Sequence, residues 1–236
     1  GTFPCKAPCQ MDFRRLRSAI SGCIGRRREA GLGGDEADCT AHVLHPQQIW
    51  DDTPPPLARH RSVGFLGIGA LGSACAKAAA EVGFLVHGWS RRQKDIAGIS
   101  CHSGQDGLIE ILKQSEILVL LMPLTAETEN VLNTETLALL PEGAMIINPG
   151  RGPLIDDDAL LAALDAGHVG HATLDASRIE PLPSDQRYWS HPKVTVTPHI
   201  ASTTRPDLAS KRVAENIARN EAGQPMHDVV DRSAGY

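Results

Sequence analysis

The sequence predicts an α/β protein built on a doubly wound parallel sheet. From residue 61 onward, short apolar runs alternate with stretches of helical character. The runs are almost continuously apolar rather than alternating, as strands covered on both faces must be. The first run leads directly into a glycine-rich turn and then a helix.

In order, "SVGFLG" at 62–67 reads as a buried strand and "ALGSACAKAAAEVG" at 70–83 as an alanine-rich helix closed by glycine. "FLVHGW" is a second strand. "DGLIEILKQ" is helical, and "EILVLLMP" is a strongly apolar strand. "NTETLALLPEG" opens with an N-cap and continues as a helix, and "AMIINPG" is the next strand. "DDDALLAALDAG" places acids at the positive end of a helix and stops at glycine. "VGHATLD" and "KVTVTPH" are two further strands, and "RPDLASKRVAENIARNEAG" is a closing helix. Residues 1–60 have a different character. They hold "GLGGDEAD" and "DDTPPP" and few apolar residues; Phe13, Leu16, Ile20 and Cys23 recur at helical spacing. "TPPP" at 53–56 reads as an extended linker.

A chain of 236 residues is long enough for one or two domains. A net charge of -5 argues against a nucleic-acid or membrane-surface partner. No apolar run approaches the ~20 residues of a membrane span. "MDFRRLRSAISGC" has basic residues but no apolar block after them, so no signal peptide is read. The six cysteines form no zinc-type pair of pairs. They are read as reduced thiols of a cytoplasmic protein, with no metal expected.

The turn "GFLGIGALGSA" carries Gly67, Gly69 and Gly72 in G-x-G-x-x-G spacing. The first glycine makes a tight turn, the second lets backbone approach a pyrophosphate, and the third lets helix pack on strand. The helix N-terminus then offers unpaired N–H groups to phosphate. A lone match is weak, but this one follows a strand and opens a helix, as a Rossmann-type nucleotide site requires. Ser90 lies 23 residues after Gly67, about where a ribose-binding acid belongs. The chain offers Ser90, Arg91 and Arg92 instead. A hydroxyl and two guanidinium forks suit a 2′-phosphate, so NADP (as NADPH) is favoured over NAD. A solvated basic loop is the alternative. The missing acid also counts against an S-adenosylmethionine methyltransferase.

Three later strand ends carry unusual residues. Arg151 follows "AMIIN", Asp175 and Glu180 follow "HATL", and His199 follows "VTVTP". Each alone fits an ordinary surface or loop residue. Together, behind a dinucleotide fingerprint, they converge on the crevice outside the carboxyl ends of the strands. Short-chain dehydrogenases are excluded because they need a Tyr-x-x-x-Lys pair; the tyrosines are Tyr188 and Tyr236, and position 192 is Pro192. A β-hydroxyacid dehydrogenase would use a catalytic lysine, which "TPH" and "EPLP" do not suggest.

"GFLGIGALG", "INPGRGPLIDDDALLAALDAGHV", "LDASRIEPLP", "HPKVTVTPHIAS" and the ending "VDRSAGY" resemble the D-2-hydroxyacid dehydrogenase family, nearest its NADP-dependent glyoxylate/hydroxypyruvate reductase branch. The resemblance implies reduction of a small 2-ketoacid, glyoxylate or hydroxypyruvate, and a homodimer. Arg151 would hold the substrate carboxylate and carbonyl oxygen. His199 would donate the proton, and Glu180 would orient His199 and favour its protonated form. Asp175 would bind the nicotinamide carboxamide. Further cofactor contacts would come from the backbone of Ala70 and Leu71, and from Met122, Pro149, Gly150, Ala201 and Ser202.

Pro149 departs from the family's small or aliphatic residue, and Ala176 and Ser177 replace a common Val-Phe pair. Residues 1–60 are shorter than the family's usual substrate segment, and residues 1–45 do not align with it. "GLGG" at 31–34 is a weak substitute for its carboxylate-binding loop, since no strand precedes it. The expected architecture is therefore an incomplete N-terminal substrate domain and linker at 1–60, an NADP-binding domain at 61–202, and a helix and tail at 203–236 packing back towards the substrate domain. An impaired NADP-binding fragment, or an NAD-dependent enzyme of other specificity, is the competing expectation.

Overall fold

The structure is a computed structural model and describes residues 56–202 and 206–229. The helical face at Phe13–Cys23, "GLGG" at 31–34, most of the "TPPP" linker and the ending at 230–236 lie outside the described residues.

Seven strands form one parallel sheet in the order β3-β2-β1-β4-β5-β6-β7. They are β1 (Ser62–Leu66), β2 (Leu85–Ser90), β3 (Ser100–Ser103), β4 (Ile117–Leu120), β5 (Ala144–Asn148), β6 (Val169–Leu174) and β7 (Val194–Val196). The helices are α1 (Ala70–Glu81), α2 (Gly104–Gln114), α3 (Thr134–Leu137), α4 (Asp157–Asp165) and α5 (Pro206–Glu221). This is the Rossmann-type doubly wound fold, and the order reverses between β1 and β4. Loops leaving those neighbouring strands part there and open a crevice.

Period-two alternation divides the apolar side chains between two cores. Ile117 and Val119 of β4 and Met145 and Ile147 of β5 join Val63 and Phe65 on one face. Leu118, Leu120 and Ile146 join the opposite core. α1 covers the first face with Cys75, Ala76 and Ala79, small residues at helical spacing that let helix and sheet approach closely. Burial pushes the Cys75 thiol up to about 12, so this cysteine acts as a packed apolar side chain. On the other face α2 buries Leu108, Ile111 and Leu112, and α4 buries Leu160, Leu161 and Leu164. Each such side chain contributes roughly 1.5–3 kcal/mol on burial.

The ends of the helices are written locally. Asp156 caps α4, its carboxylate accepting from the Ala159 N–H at 2.9 Å. Asn133 and Thr136 close a reciprocal box on α3. α3 is shorter than its sequence pattern predicts, because the residues after Leu137 turn towards Pro141. β3 is an addition to the strands read from the sequence, since "SCHS" has no apolar pattern. Among the described residues, no helix is long and apolar enough to cross a membrane.

Candidate active site

Gly67 leaves β1 with φ of +102°, a left-handed conformation that favours glycine. A Cβ there would lie 2.5 Å from the Met122 nitrogen, and one on Gly72 would lie 1.8 Å from the Gly67 carbonyl oxygen. Those two glycines are required by packing. Gly69 differs: an added Cβ would meet nothing within 4 Å, so its backbone faces open space at the mouth of α1. A pyrophosphate needs such a surface, with the first-turn N–H groups of Ala70 and Leu71 beside it. The residues present fit a dinucleotide.

The basic stretch lies at the end of β2, next to that loop. Gly67 and Ile68 donate their N–H groups to the Trp89 carbonyl at 2.9 and 3.3 Å. The Ser90 hydroxyl donates to the Arg92 carbonyl at 2.6 Å, folding the turn on itself. Arg91 reaches towards Glu127, 3.7 Å away on the loop after β4. Both side chains are exposed, so little stability follows from the pair. Lys94 donates to the Ile68 carbonyl at 2.7 Å, tying the basic turn to the glycine loop.

β5, β6 and β7 are neighbours, so Arg151, Asp175 and His199 emerge side by side. Asn148, buried at the end of β5, braces the first turn: its side chain accepts from Gly150 N–H at 3.1 Å and donates to the Arg151 carbonyl at 2.9 Å. Arg151 itself is exposed, and its guanidinium donates to the Gly150 carbonyl. Asp175 is buried and anchors the histidine turn. Its carboxylate accepts from Thr197 Oγ1 at 2.6 Å, Ile200 N–H at 3.0 Å and Ala201 N–H at 2.9 Å. Its carbonyl accepts the His199 N–H at 2.9 Å. The Gly150 and Ala201 N–H groups thus both have partners within the chain.

His199 sits at φ of 52°, a region that a residue with a side chain enters at a cost of roughly 1–3 kcal/mol. The bonds from Asp175 hold it there. The reward is the side-chain geometry: His199 Nδ1 lies 2.8 Å from Glu180 Oε2, while Glu180 Oε1 accepts the Ser177 N–H at 2.9 Å. The His199 hydrogen bond, then the Ser177 N–H and the nearby charge of Arg151, hold the Glu180 carboxyl below the usual carboxylate range, against partial desolvation. Both side chains are almost half exposed, so the outer Nε2 of His199 is open to an incoming molecule.

The structure therefore places Arg151, Asp175, Glu180 and His199 at the carboxyl ends of the neighbouring β5, β6 and β7, and Gly67–Gly72 with Ser90–Arg92 at the carboxyl ends of the neighbouring β1 and β2. Sequence reasoning missed Asn148 and Thr197. A terminal asparagine on an apolar strand and the threonine of "TPH" were the available signals.

A Rossmann sheet with an Arg, a Glu–His pair and an anchoring Asp at successive strand ends defines a nucleotide-dependent dehydrogenase architecture. The chain belongs to the D-isomer specific 2-hydroxyacid dehydrogenases: the model of that family's NAD binding domain matches residues 40–201. Glyoxylate/hydroxypyruvate reductase A of Salmonella newport (strain SL254) is 39% identical over 194 residues, covering 82% of this chain and 62% of that protein. The chain thus spans somewhat under two thirds of the length of such curated relatives. A solved D-isomer specific 2-hydroxyacid dehydrogenase from Xanthobacter autotrophicus Py2, in complex with NADPH and MES, superposes with a TM-score of 0.89 at 38% identity, covering 100% of this chain and 93% of that one. The NADPH-dependent glyoxylate/hydroxypyruvate reductase of Sinorhizobium meliloti, in complex with NADP and sulfate, gives 0.84 at 32% identity, covering 99% and 72%.

Proposed function

We propose that this chain reduces a small 2-ketoacid, glyoxylate or hydroxypyruvate, to the D-2-hydroxyacid with NADPH. The observation that carries the reading is the 2.8 Å His199–Glu180 hydrogen bond at the carboxyl ends of β6 and β7, with Arg151 at the end of the adjoining β5, on the same end of the sheet as the open glycine loop after β1. The names of the Salmonella and Sinorhizobium relatives and the NADPH held by the Xanthobacter enzyme support it.

Gly67, Gly69, Ala70, Leu71 and Gly72 would receive the pyrophosphate, and Ser90, Arg91 and Arg92 the 2′-phosphate. Met122, Pro149, Gly150, Ala201 and Ser202 would line the cofactor's path, and Asp175 would meet its carboxamide. NADPH, when bound, supplies the hydride. The chain supplies the rest. Arg151 grips the substrate carboxylate and carbonyl oxygen with its planar fork and stabilises negative charge growing on that oxygen. With Nδ1 hydrogen-bonded to Glu180, His199 keeps its Nε2 proton aimed outward. That proton passes to the carbonyl oxygen as the carbonyl carbon gains hydride, so a neutral hydroxyl forms. The Glu180 carboxylate holds the ring in this orientation for the transfer. We further read residues 61–202 as the NADP-binding domain and expect a cytoplasmic homodimer.

The test follows NADPH absorbance with glyoxylate, hydroxypyruvate and pyruvate, then repeats each assay with NADH. Turnover of glyoxylate or hydroxypyruvate, faster with NADPH, is the expected result. NADPH binding without turnover of any ketoacid would leave a nucleotide-binding protein of this family and sink the proposed reaction.

A further inference from the structure

The loop that carries Glu180 is gripped at its base and at one side chain. At the base, Gly152 packs so tightly that an added Cβ would fall 2.0 Å from the Ser177 carbonyl carbon. The side chain is Arg178. Its Nη2 donates to the Asn130 side-chain oxygen and to the Ile155 carbonyl at 2.8 Å. Its Nη1 donates to Glu129 Oε1 at 3.4 Å, and its Nε lies 3.8 Å from Asp157 Oδ2. One guanidinium thus engages two chain segments, 129–130 and 155–157. These segments are themselves laced together: Asn130 N–H donates to the Pro153 carbonyl, Leu132 N–H to Leu154, and Asp156 N–H to Leu132. The second segment continues directly from the turn that carries Arg151. The neighbouring Ile179 offers no comparable hold, being 61% exposed.

We propose that Arg178 is a positioning residue that fixes the Glu180 loop against the Arg151 turn, and so sets the His199–Glu180 hydrogen bond. This rests on the proposed reaction for its kinetic consequence but not for its geometry. Arg178 is two residues from Glu180, and the N–H of Ser177, just before it, closes the loop back onto the Glu180 carboxylate. The guanidinium's contacts with Glu129, Asn130, Ile155 and Asp157 all lie away from Arg151, Glu180 and His199, so it does not act on the reacting atoms. A planar five-donor fork suits this task, because a lysine could not reach acceptors on both segments at once. The charged groups near the His199–Glu180 pair are Arg151 and the buried Asp175, and neither bonds to Arg178.

The experiment compares the full chain with Arg178→Ala and Arg178→Lys, all labelled with 15N-histidine. The readout is the hydrogen-bonded Nδ1–H cross-peak of His199, assigned by its loss in His199→Ala. Parallel assays measure NADPH affinity and ketoacid turnover. In Arg178→Ala the cross-peak should vanish into solvent exchange, NADPH affinity should stay within about twofold, and kcat should fall about 10- to 100-fold, the scale of a small misplacement of catalytic groups. Arg178→Lys should fold and still exchange its Nδ1 proton several-fold faster than the parent. If Arg178→Ala fails to fold, Arg178→Lys carries the test alone. A cross-peak that persists with parental exchange in the folded variants overturns the proposal, as does its absence from the parent. Lack of ketoacid turnover in the parent would sink the proposed reaction, yet the cross-peak would still decide the role of Arg178.

Discussion

At the scale of single residues, the proposed chemistry depends on where one proton is held. His199 is kept in a left-handed backbone conformation by Asp175, and Glu180 fixes which ring nitrogen faces outward. Removing the imidazole removes the proposed proton donor without touching the glycine loop. His199→Ala should therefore lower turnover by about 10²–10⁴, the usual worth of a general acid. NADPH affinity, read by fluorescence titration, should largely survive. Turnover at the parental rate would rule out His199 as the donor. The variant should also relieve little strain, because alanine in the same φ region gains no hydrogen bond.

At the scale of elements, the three glycines of the first loop serve separable purposes. Gly72 touches backbone that cannot move aside, so Gly72→Ala should destabilise the fold by about 1–3 kcal/mol, as overpacking does. Gly69 has space for a methyl group in the protein alone. Gly69→Ala should leave the melting temperature nearly unchanged and weaken NADPH binding, since the methyl would occupy the surface a pyrophosphate needs. Equal losses of stability in both variants would show that the loop is only structural. The edge strand β3 has its own signature. His87 of β2 lies 3.3 Å from His102 of β3, which meets Glu110 of α2 at 3.2 Å. Burial, then the charge of His102, lowers the His87 pKa, while Glu110 opposes them. The folded state then binds fewer protons than the unfolded chain, so stability should fall as pH drops through the unfolded value of 6.5. Urea midpoints at pH 7.5 and 5.5 should diverge in the parent and converge in His87→Gln; an unchanged gap would exclude His87.

These elements also show what the sequence could carry. Six strands were legible because strands covered on both faces need unbroken apolar runs, as "EILVLLMP" has. β3 was not, because "SCHS" carries no apolar run and buries little apolar surface. Arg151, Glu180 and His199 were legible as a set because each follows a strand end. The supports were not: Thr197 and Arg178 act through bonds to side chains of other loops, up to 49 residues away in the Arg178–Glu129 case, and no local pattern encodes such partners, while Asn148 braces its own turn through a single asparagine that carries no pattern of its own.

At the scale of the whole molecule, cofactor and fold are linked by mass action. The crevice draws on loops after β1, β2, β4, β5, β6 and β7, so a dinucleotide seated there would bridge six of the seven strands. It would bind the folded sheet and not the unfolded chain, and would stabilise the former by RT ln(1 + [L]/Kd), about 2.7 kcal/mol at a hundredfold excess over Kd. For a chain of this size each kcal/mol raises the melting temperature by about 2–4 °C, so NADPH at that excess should shift it by about 5–11 °C. NADH at the same concentration should shift it less. It lacks the phosphate that Ser90, Arg91 and Arg92 are suited to hold, and a lost charge-assisted hydrogen bond weakens binding by roughly 1.5–3 kcal/mol. Arg91→Ala separates this from a general effect of nucleotide. It should shrink the NADPH shift towards the NADH value and leave the NADH shift in place, because the Arg91–Glu127 pair is exposed on both sides and contributes little to the fold itself. Thermal melts of parent and variant with each cofactor supply the four values needed. Equal shifts from NADPH and NADH in the parent would remove the basis for an NADP preference, whatever the ketoacid assays show.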